Sequence, residues 1–184
     1  YYNKDAGELF HELYNTINKY PSLVFLDQNG VKFISSEYTD RLDKLNKTDF
    51  LYFVSSSFFK RYGKTDEFKQ ALNIDIEELE STKYNNMHRF VVNKIQSRLS
   101  SNSETKLFPY SIKKNANIYG IIFGSKSYTA VDKFLNIGWK RNEINGEADF
   151  DIDAACGDYE IQVDTKNLLE DESCTDGGLC DVYV

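Results

Sequence analysis

The stretch Ser22-Leu-Val-Phe-Leu-Asp-Gln-Asn-Gly30 is the part of the chain that decides the fold. Its continuous apolar run, residues 23–26, is typical of a strand that is buried on both faces of a parallel sheet. Asp27 ends the run, and ligands of open α/β sheets bind just beyond the carboxyl ends of the strands. A carboxylate there, with Gly30 allowing close approach of the backbone, predicts a catalytic or binding site. Turn chemistry explains Asp27 and Gly30 equally well, so both interpretations stay open.

A second apolar run, residues 49–54, ends in three serines. Because a predicted helix over residues 37–46 separates the two runs, we expect two parallel strands joined by a right-handed crossover. Their carboxyl ends then lie side by side, and the serine hydroxyls stand near Asp27. The residues predicted to form a polar substrate pocket edged by aromatic rings are Ser55, Ser56, Phe58, Phe59 and Arg61.

The rest of the chain alternates helical and strand patterns. Helices are predicted over residues 5–19, 66–72, 75–79, 85–99 and 128–140, and a β-hairpin over 107–112 and 118–124. We therefore predict an α/β, Rossmann-like three-layer sandwich over residues 1–141, with parallel strands and a terminal β-hairpin. Residues 142–184 are acidic, and we predict a linker or the start of a further module. His11 and His88 are both predicted to lie on helix surfaces.

The net charge of −7 is unevenly distributed along the 184 residues. Residues 83–141 carry eleven Lys and Arg against two acids, whereas residues 142–184 carry one against thirteen. A basic zone with interleaved Tyr and Phe is typical of a surface that binds nucleic acid. The alternative is that these charges are the solvated faces of ordinary helices. The candidate nucleic-acid-binding residues are Arg89, Lys94, Arg98, Lys113 and Lys114.

Composition also speaks against several classes of protein. No apolar run approaches the roughly 20 residues of a membrane-spanning helix, and the first residues lack the layout of a signal peptide. An odd number of cysteines (Cys156, Cys174 and Cys180) in an acidic chain favours reduced thiols and a cytoplasmic location. Cys174 and Cys180 are too few for a zinc site, and Asp27 lacks the further acids of a two-metal hydrolase, so we predict no metal.

Five segments carry a resemblance to a known family: residues 21–30, 49–61, 121–125, 132–140 and 146–153. In this order they resemble the three-Cys-motif partner (TcmP) family. The resemblance implies a class I, Rossmann-type methyltransferase fold that uses S-adenosylmethionine, with a winged-helix-like region at its C-terminal end. It also implies a prokaryotic, phage or mobile-element setting and a partner protein with a three-Cys motif.

The family pattern at the first strand end is Asp-Pro-Phe-Gly, as in methyltransferases that act on amines. Asp27 and Gly30 match this pattern, whereas Gln28 and Asn29 replace the proline and the aromatic residue. By resemblance, Asp27 would accept a hydrogen bond from the target amine, and Phe33, Phe58 or Phe59 would stack on a flipped base. The chain has no Gly-x-Gly turn and does not begin with Met. We therefore expect it to be the C-terminal half of such a domain, with the cofactor-binding half upstream of Tyr1.

Two functions from different classes follow. The first is a methyltransferase-like protein that acts on nucleic acid along the basic zone, with Asp27 orienting the acceptor amine. The second is a catalytically silent Rossmann-like module that binds nucleic acid or the three-Cys-motif partner protein. The carboxylate and the rim of serines and aromatic residues favour the first function, whereas Gln28 and Asn29 favour the second. The sequence does not specify an oligomeric state.

Overall fold

The computed structural model of the chain describes residues 2–27, 31–115 and 117–152. Gly30, the three cysteines and most of the acidic segment therefore lie outside the described residues. The seven α-helices within these ranges are α1 (Ala6–Lys19), α2 (Ser36–Asp43), α3 (Ser56–Tyr62), α4 (Asp66–Leu72), α5 (Ile76–Ser81), α6 (Met87–Gln96) and α7 (Tyr128–Arg141). The four strands are β1 (Ser22–Asp27), β2 (Thr48–Ser55), β3 (Lys106–Lys114) and β4 (Asn117–Ser125). Short 3₁₀ helices cover Lys32–Ile34 and Tyr84–Asn86.

The four strands form one mixed sheet in the order β1-β2-β4-β3. β1 and β2 are parallel, as predicted, and Ser22 pairs with Thr48 while Asp27 pairs with Phe53. The predicted hairpin is also confirmed, because β4 is antiparallel to both β2 and β3. β3 therefore runs in the same direction as β1 and β2. The carboxyl ends of these three strands lie at one edge of the sheet, which we call the carboxyl edge.

One face of the sheet carries the main core. Phe50, Tyr52 and Val54 alternate along β2 and are buried, as expected of a strand with one face turned to the interior. Residues from α2 to α6 pack on this helix-covered face, and the fully buried side chains include Leu42, Phe59, Leu72, Leu79, Met87 and Ile95. The sheet and these helices therefore share one hydrophobic core.

The opposite face of the sheet is partly uncovered, and we call it the open face. On this face α7 packs beside β4, where Phe134 stacks on Phe123 with ring centroids 4.7 Å apart. At the other end of the sheet, Leu23 is 64% exposed and Phe25 is 57% exposed. The prediction that the first strand is buried on both faces is therefore wrong, because the described residues leave the open face of β1 uncovered.

Residues 145–152 pack against the sheet. Ser111 of β3 donates its N–H to the carbonyl of Glu147 at 2.8 Å and accepts from the N–H of Asp149 at 3.1 Å. Beyond this short parallel bridge, Phe150 and Ile152 are buried in a second cluster with Ile118. We call residues 145–152 the strap. The domain boundary at residue 141 stays a prediction.

Candidate binding site at the carboxyl edge of the sheet

The carboxyl edge gathers polar groups from three strands. Asp27 ends β1 and is exposed, and Ser55 ends β2, where its hydroxyl lies 2.9 Å from that of Ser57. Lys114 ends β3 and is exposed as well. Since Asp27 is level with Phe53, Ser55 lies two residues beyond Asp27 along the strand direction. The parallel pairing thus places the carboxylate and the hydroxyls at neighbouring strand ends, as the sequence predicts.

The other predicted pocket residues are not all brought to this edge. β2 runs directly into α3, so that Ser56 and Phe59, three positions apart, both face the interior and are each 1% exposed. Phe58 packs against Tyr62 and Phe68, with ring centroids 4.5 and 5.7 Å away. The guanidinium of Arg61 lies 6.0 Å from the ring of Tyr62. Ser55 is the member of the predicted set that stands at the edge itself.

An aromatic pair that the sequence analysis did not single out lies beside Ser55. Phe53 and Tyr119 stack on the open face with ring centroids 5.3 Å apart and an interplanar angle of 25°. Tyr119 pairs directly with Ser55 across the β2–β4 ladder. Both rings are half-buried. Alternation along each strand is a signal for their common face, but the sequence does not reveal that β4 neighbours β2.

In three of the five predicted nucleic-acid-binding residues, the charged group forms an ion pair or hydrogen bonds with other residues of the fold. Arg89 forms a bidentate salt bridge with Glu147: Nε donates to Oε1 at 2.8 Å, and Nη2 donates to Oε2 at 3.0 Å. Lys94 pairs with Glu78. Arg98 is half-buried and donates to the carbonyls of Ala71 and Ile34. The other two predicted residues, Lys113 and Lys114, lie at the carboxyl end of β3.

Those hairpin lysines lie at the tip of the β3–β4 turn. Lys114 pairs with Asn117 at the start of β4, close to Tyr119. The ammonium of Lys113 lies 5.4 Å from the centre of the Phe150 ring, and its backbone N–H donates to Asp149 at 2.8 Å. Burial raises the pKa of Asp149, an effect that the Lys113 N–H and charge oppose. The strap therefore fixes the hairpin that carries both lysines.

The prediction that His88 lies on a helix surface is wrong. His88 is fully buried, with Nε2 3.2 Å from Oε1 of Glu147, although the ring is not aligned for a hydrogen bond with any described residue. A Cβ at Gly120 of β4 would lie 2.8 Å from the His88 Cβ, so the glycine is what lets α6 approach the sheet this closely. Burial favours a raised pKa of Glu147, but His88 and Arg89 outweigh it and lower the pKa to about 2.

A cleft of about 720 Å³ lies between α6, α7 and the strap. Its walls are mainly apolar and include Phe108, Leu135, Trp139 and Ile144, together with the Arg89–Glu147 pair. A Cβ at Gly146 would lie 2.5 Å from the Trp139 ring, so the strap backbone covers one side of that ring. Arg89 is the one cation among the described residues that line this cleft, and its charge is compensated by Glu147.

No protein-family model, curated protein or solved structure matches the chain. Among the described residues, no three His, Cys, Asp or Glu side chains are grouped so that they could hold a metal ion. Likewise, no helix in the described ranges is long and apolar enough to span a membrane. The candidate site is thus the carboxyl edge, defined by Asp27, Ser55, Tyr119 and Lys114 with their immediate neighbours.

Proposed function

We propose that the chain is a Rossmann-like, methyltransferase-related domain that binds single-stranded nucleic acid at the carboxyl edge of its sheet. The observation that carries the proposal is that the hairpin lysines stand at the same edge as Asp27 and the stacked Phe53–Tyr119 pair. In open α/β sheets this edge is where ligands bind. The resemblance to the TcmP family, and the parallel strands followed by a hairpin, support this assignment.

Each group at the edge has a role in binding a nucleic acid strand. Lys113 and Lys114 compensate phosphate charges from opposite sides of the hairpin tip, Lys114 on the side that carries Tyr119 and Lys113 on the side of Phe150. Such contacts supply most of the sequence-independent affinity. The exposed surface of the Phe53–Tyr119 pair gives bases a ring to stack on, and such stacking does not depend on base identity. The Ser55 hydroxyl and the Asp27 carboxylate are hydrogen-bonding groups for the sugar and for exocyclic amines. In the proposal, the protein is prokaryotic and cytoplasmic and works beside a three-Cys-motif partner protein.

Methyl transfer from S-adenosylmethionine to an amine is the second candidate function. The exposed carboxylate of Asp27 at a strand end favours it, since that group could accept a hydrogen bond from the acceptor amine. The described residues do not, however, make a complete site for the cofactor. None of the ten glycines forms a Gly-x-Gly turn, and the side of β1 away from β2 carries no further strand in the described ranges. We therefore derive no catalytic step through the cofactor.

The nucleic-acid proposal is tested by fluorescence anisotropy of a labelled single-stranded oligonucleotide at several salt concentrations. We expect Lys113→Glu/Lys114→Glu to weaken binding about tenfold or more and to reduce the slope of log affinity against log salt by about 1.4, since each phosphate contact to a single strand contributes roughly 0.7. Tyr119→Ala is expected to weaken binding with little change in the slope, because it removes stacking and no charge.

Lys133→Glu/Lys140→Glu is the matched control, because it makes the same charge change on exposed positions of α7. An equal loss of affinity in both double variants would show that net charge, and not the carboxyl edge, governs binding. Calorimetric titration with S-adenosylmethionine tests the second candidate function. Binding that survives Asp27→Ala would favour the methyltransferase, whereas no binding to the folded chain would show that these 184 residues do not hold the cofactor by themselves and would leave the nucleic-acid module standing.

A further inference from the structure

Trp139, the only tryptophan of the 184 residues, forms part of the wall of the cleft between α6, α7 and the strap. The backbone of Gly146 packs directly on one side of the indole, where an added Cβ would lie 2.5 Å from the ring. The residue is nevertheless 51% exposed, so another part of its surface stays accessible from the cleft that it lines. An aromatic ring that is supported on one side and accessible on the other is suited to stacking.

Two asparagine amides line the same cleft. Asn93 on α6 is exposed, and its side-chain amide forms no hydrogen bond with another described residue. Asn145 of the strap accepts the Glu147 N–H at 3.0 Å through Oδ1, which fixes the orientation of this amide and leaves Nδ2 as a donor. Because an amide carries both a donor and an acceptor, the pair suits a ligand edge that carries groups of both kinds.

The charges that line the cleft oppose an anionic ligand. Glu147 compensates Arg89, and Asp151 adds a second carboxylate to the lining. A phosphate would therefore meet more negative than positive charge. A purely aliphatic ligand fits no better, because it would displace water from the amides without replacing the hydrogen bonds of that water. The ligand that fits is neutral and planar, with donors and acceptors along its edge.

We propose that this cleft binds a purine base, stacked on the accessible side of Trp139 with its hydrogen-bonding edge towards Asn93 and Asn145. The volume of about 720 Å³ and the mainly apolar walls are those of an ordinary small-ligand site. Asparagine amides pair with the donor and acceptor on the edge of adenine. A fused two-ring base also covers more of an indole than a single ring does.

This inference does not rest on the proposed function, because the cleft is separate from the hairpin lysines. Pro109, which lines the cleft, precedes Lys113 by four residues along β3, or about 13 Å. Two sources supply a purine base without a phosphate in the cleft itself: a free nucleoside, and an unpaired nucleotide of a strand whose backbone stays outside. The chemistry of recognition is the same for both.

The fluorescence of Trp139 reports on this cleft directly, because the chain has no other tryptophan. Titration of the full chain with adenosine, with excitation at the red edge of the tryptophan absorption, tests the proposal. We expect saturable quenching with a dissociation constant on the order of 0.1 mM, which ordinary ligand efficiency gives for about 20 heavy atoms. Uridine should bind several-fold more weakly, because its single ring covers less of the indole.

Asn93→Ala should weaken adenosine binding about fivefold or more, since it removes hydrogen bonds to the edge of the base. Asn136→Ala is the matched control: it makes the same change at an exposed position of α7 that does not line the cleft, and it should leave binding unchanged. Trp139→Leu should abolish binding, measured by calorimetry because the fluorophore is gone. Circular dichroism of each variant verifies that the chain is folded.

Three results would each overturn the proposal: no quenching by adenosine, quenching that Asn93→Ala leaves unchanged, or a Trp139 that acrylamide does not reach in the full chain, since the cleft would then already be filled. An oligoadenylate strand distinguishes the two sources. If the strand quenches at lower concentration than adenosine, and Lys113→Glu/Lys114→Glu weakens only the strand, the base belongs to a strand held at the carboxyl edge. Quenching by adenosine that the strand does not reproduce identifies a free nucleoside.

Discussion

At the scale of single residues, Glu147 is the carboxylate whose ionisation matters most for the strap. Its pKa of about 2 lies below the ordinary value of 4.5, because His88 and Arg89 outweigh the effect of burial. A lowered pKa in the folded state means that Glu147 contributes its full stability above about pH 4.5 and loses it as the pH falls towards 2. We expect Glu147→Gln to reduce the free energy of unfolding by about 1–2 kcal/mol at neutral pH, after discounting for partial exposure.

Urea denaturation at several pH values measures this effect. The difference between wild type and Glu147→Gln should shrink as the pH falls through the same window and vanish near pH 2. Glu80→Gln is the control: Lys64 lowers the pKa of Glu80 too, but this pair is exposed. Removing the Lys64–Glu80 pair should reduce the free energy of unfolding much less, because exposed ion pairs contribute little to stability. A pH-independent difference for Glu147→Gln would contradict the assigned cause.

His88 and Glu147 also show where sequence reasoning stops at this scale. Helical periodicity indicates that Met87, Phe90 and Val91 share one face of α6, and all three are buried. It could not place His88, because burial there depends on a glycine in a strand 32 positions later in the chain. Similarly, nothing near Arg89 in sequence indicates Glu147, 58 positions away. Local patterns report helix faces, whereas polar partners come from the tertiary fold.

At the scale of elements, the types and positions of strands and helices follow largely from the sequence. The parallel pair and the hairpin were predictable because apolar runs and turn residues are local signals. The error over β1 has a physical reason: an apolar run of four residues does not reveal whether other elements cover both faces of the strand. The packing of the strap was not predicted, because its sequence is mainly acidic and its apolar residues are few. Ala148, Phe150 and Ile152 of the strap are nevertheless buried.

Contact between β2 and β4 gives a prediction at this scale. Gly124 pairs with Phe50, and a Cβ at Gly124 would overlap the Phe50 ring. Gly124→Ala is therefore expected to lower the free energy of unfolding by about 1–3 kcal/mol through overpacking. The measurement is chemical denaturation of Gly124→Ala, Phe50→Leu and the double variant. In the Phe50→Leu background, Gly124→Ala should reduce the free energy of unfolding by less than it does in wild type, because leucine leaves more room for the added Cβ. Additive losses in the double variant would show that the clash is absent.

At the scale of the whole molecule, charged residues that lie far apart in the sequence come together in the fold. The basic zone and the acidic segment are separate blocks of the chain, yet Arg89 of the first pairs with Glu147 of the second. Lys94 likewise forms an ion pair with Glu78, which lies just outside the basic zone in sequence. Charge counts therefore overestimate the positive charge that a ligand could meet, and the proposed function uses only the hairpin lysines at the carboxyl edge.

The contacts of the strap lead to a prediction about where the folded unit ends. A chain that stops after Arg141 loses Phe150 and Ile152 from the cluster with Ile118, and it loses the Ile152 carbonyl that accepts from Asn85 at 2.9 Å. Burying one large apolar side chain stabilises by about 1.5–3 kcal/mol, so we expect this truncation to cost roughly 3–6 kcal/mol. The measurement is urea denaturation beside a chain that stops after Ile152.

Phe150→Ala in the full chain separates packing from chain length, and its expected cost is about 3–5 kcal/mol. If the chain that stops after Arg141 kept the stability of the chain that stops after Ile152, residues 142–152 would be the linker that their composition indicates. If only the shorter chain is destabilised, the strap belongs to the same cooperative unit as the sheet. The hairpin lysines would then depend on it for their position, because Asp149 and Phe150 hold Lys113 in place, so the shorter chain should also bind the oligonucleotide more weakly.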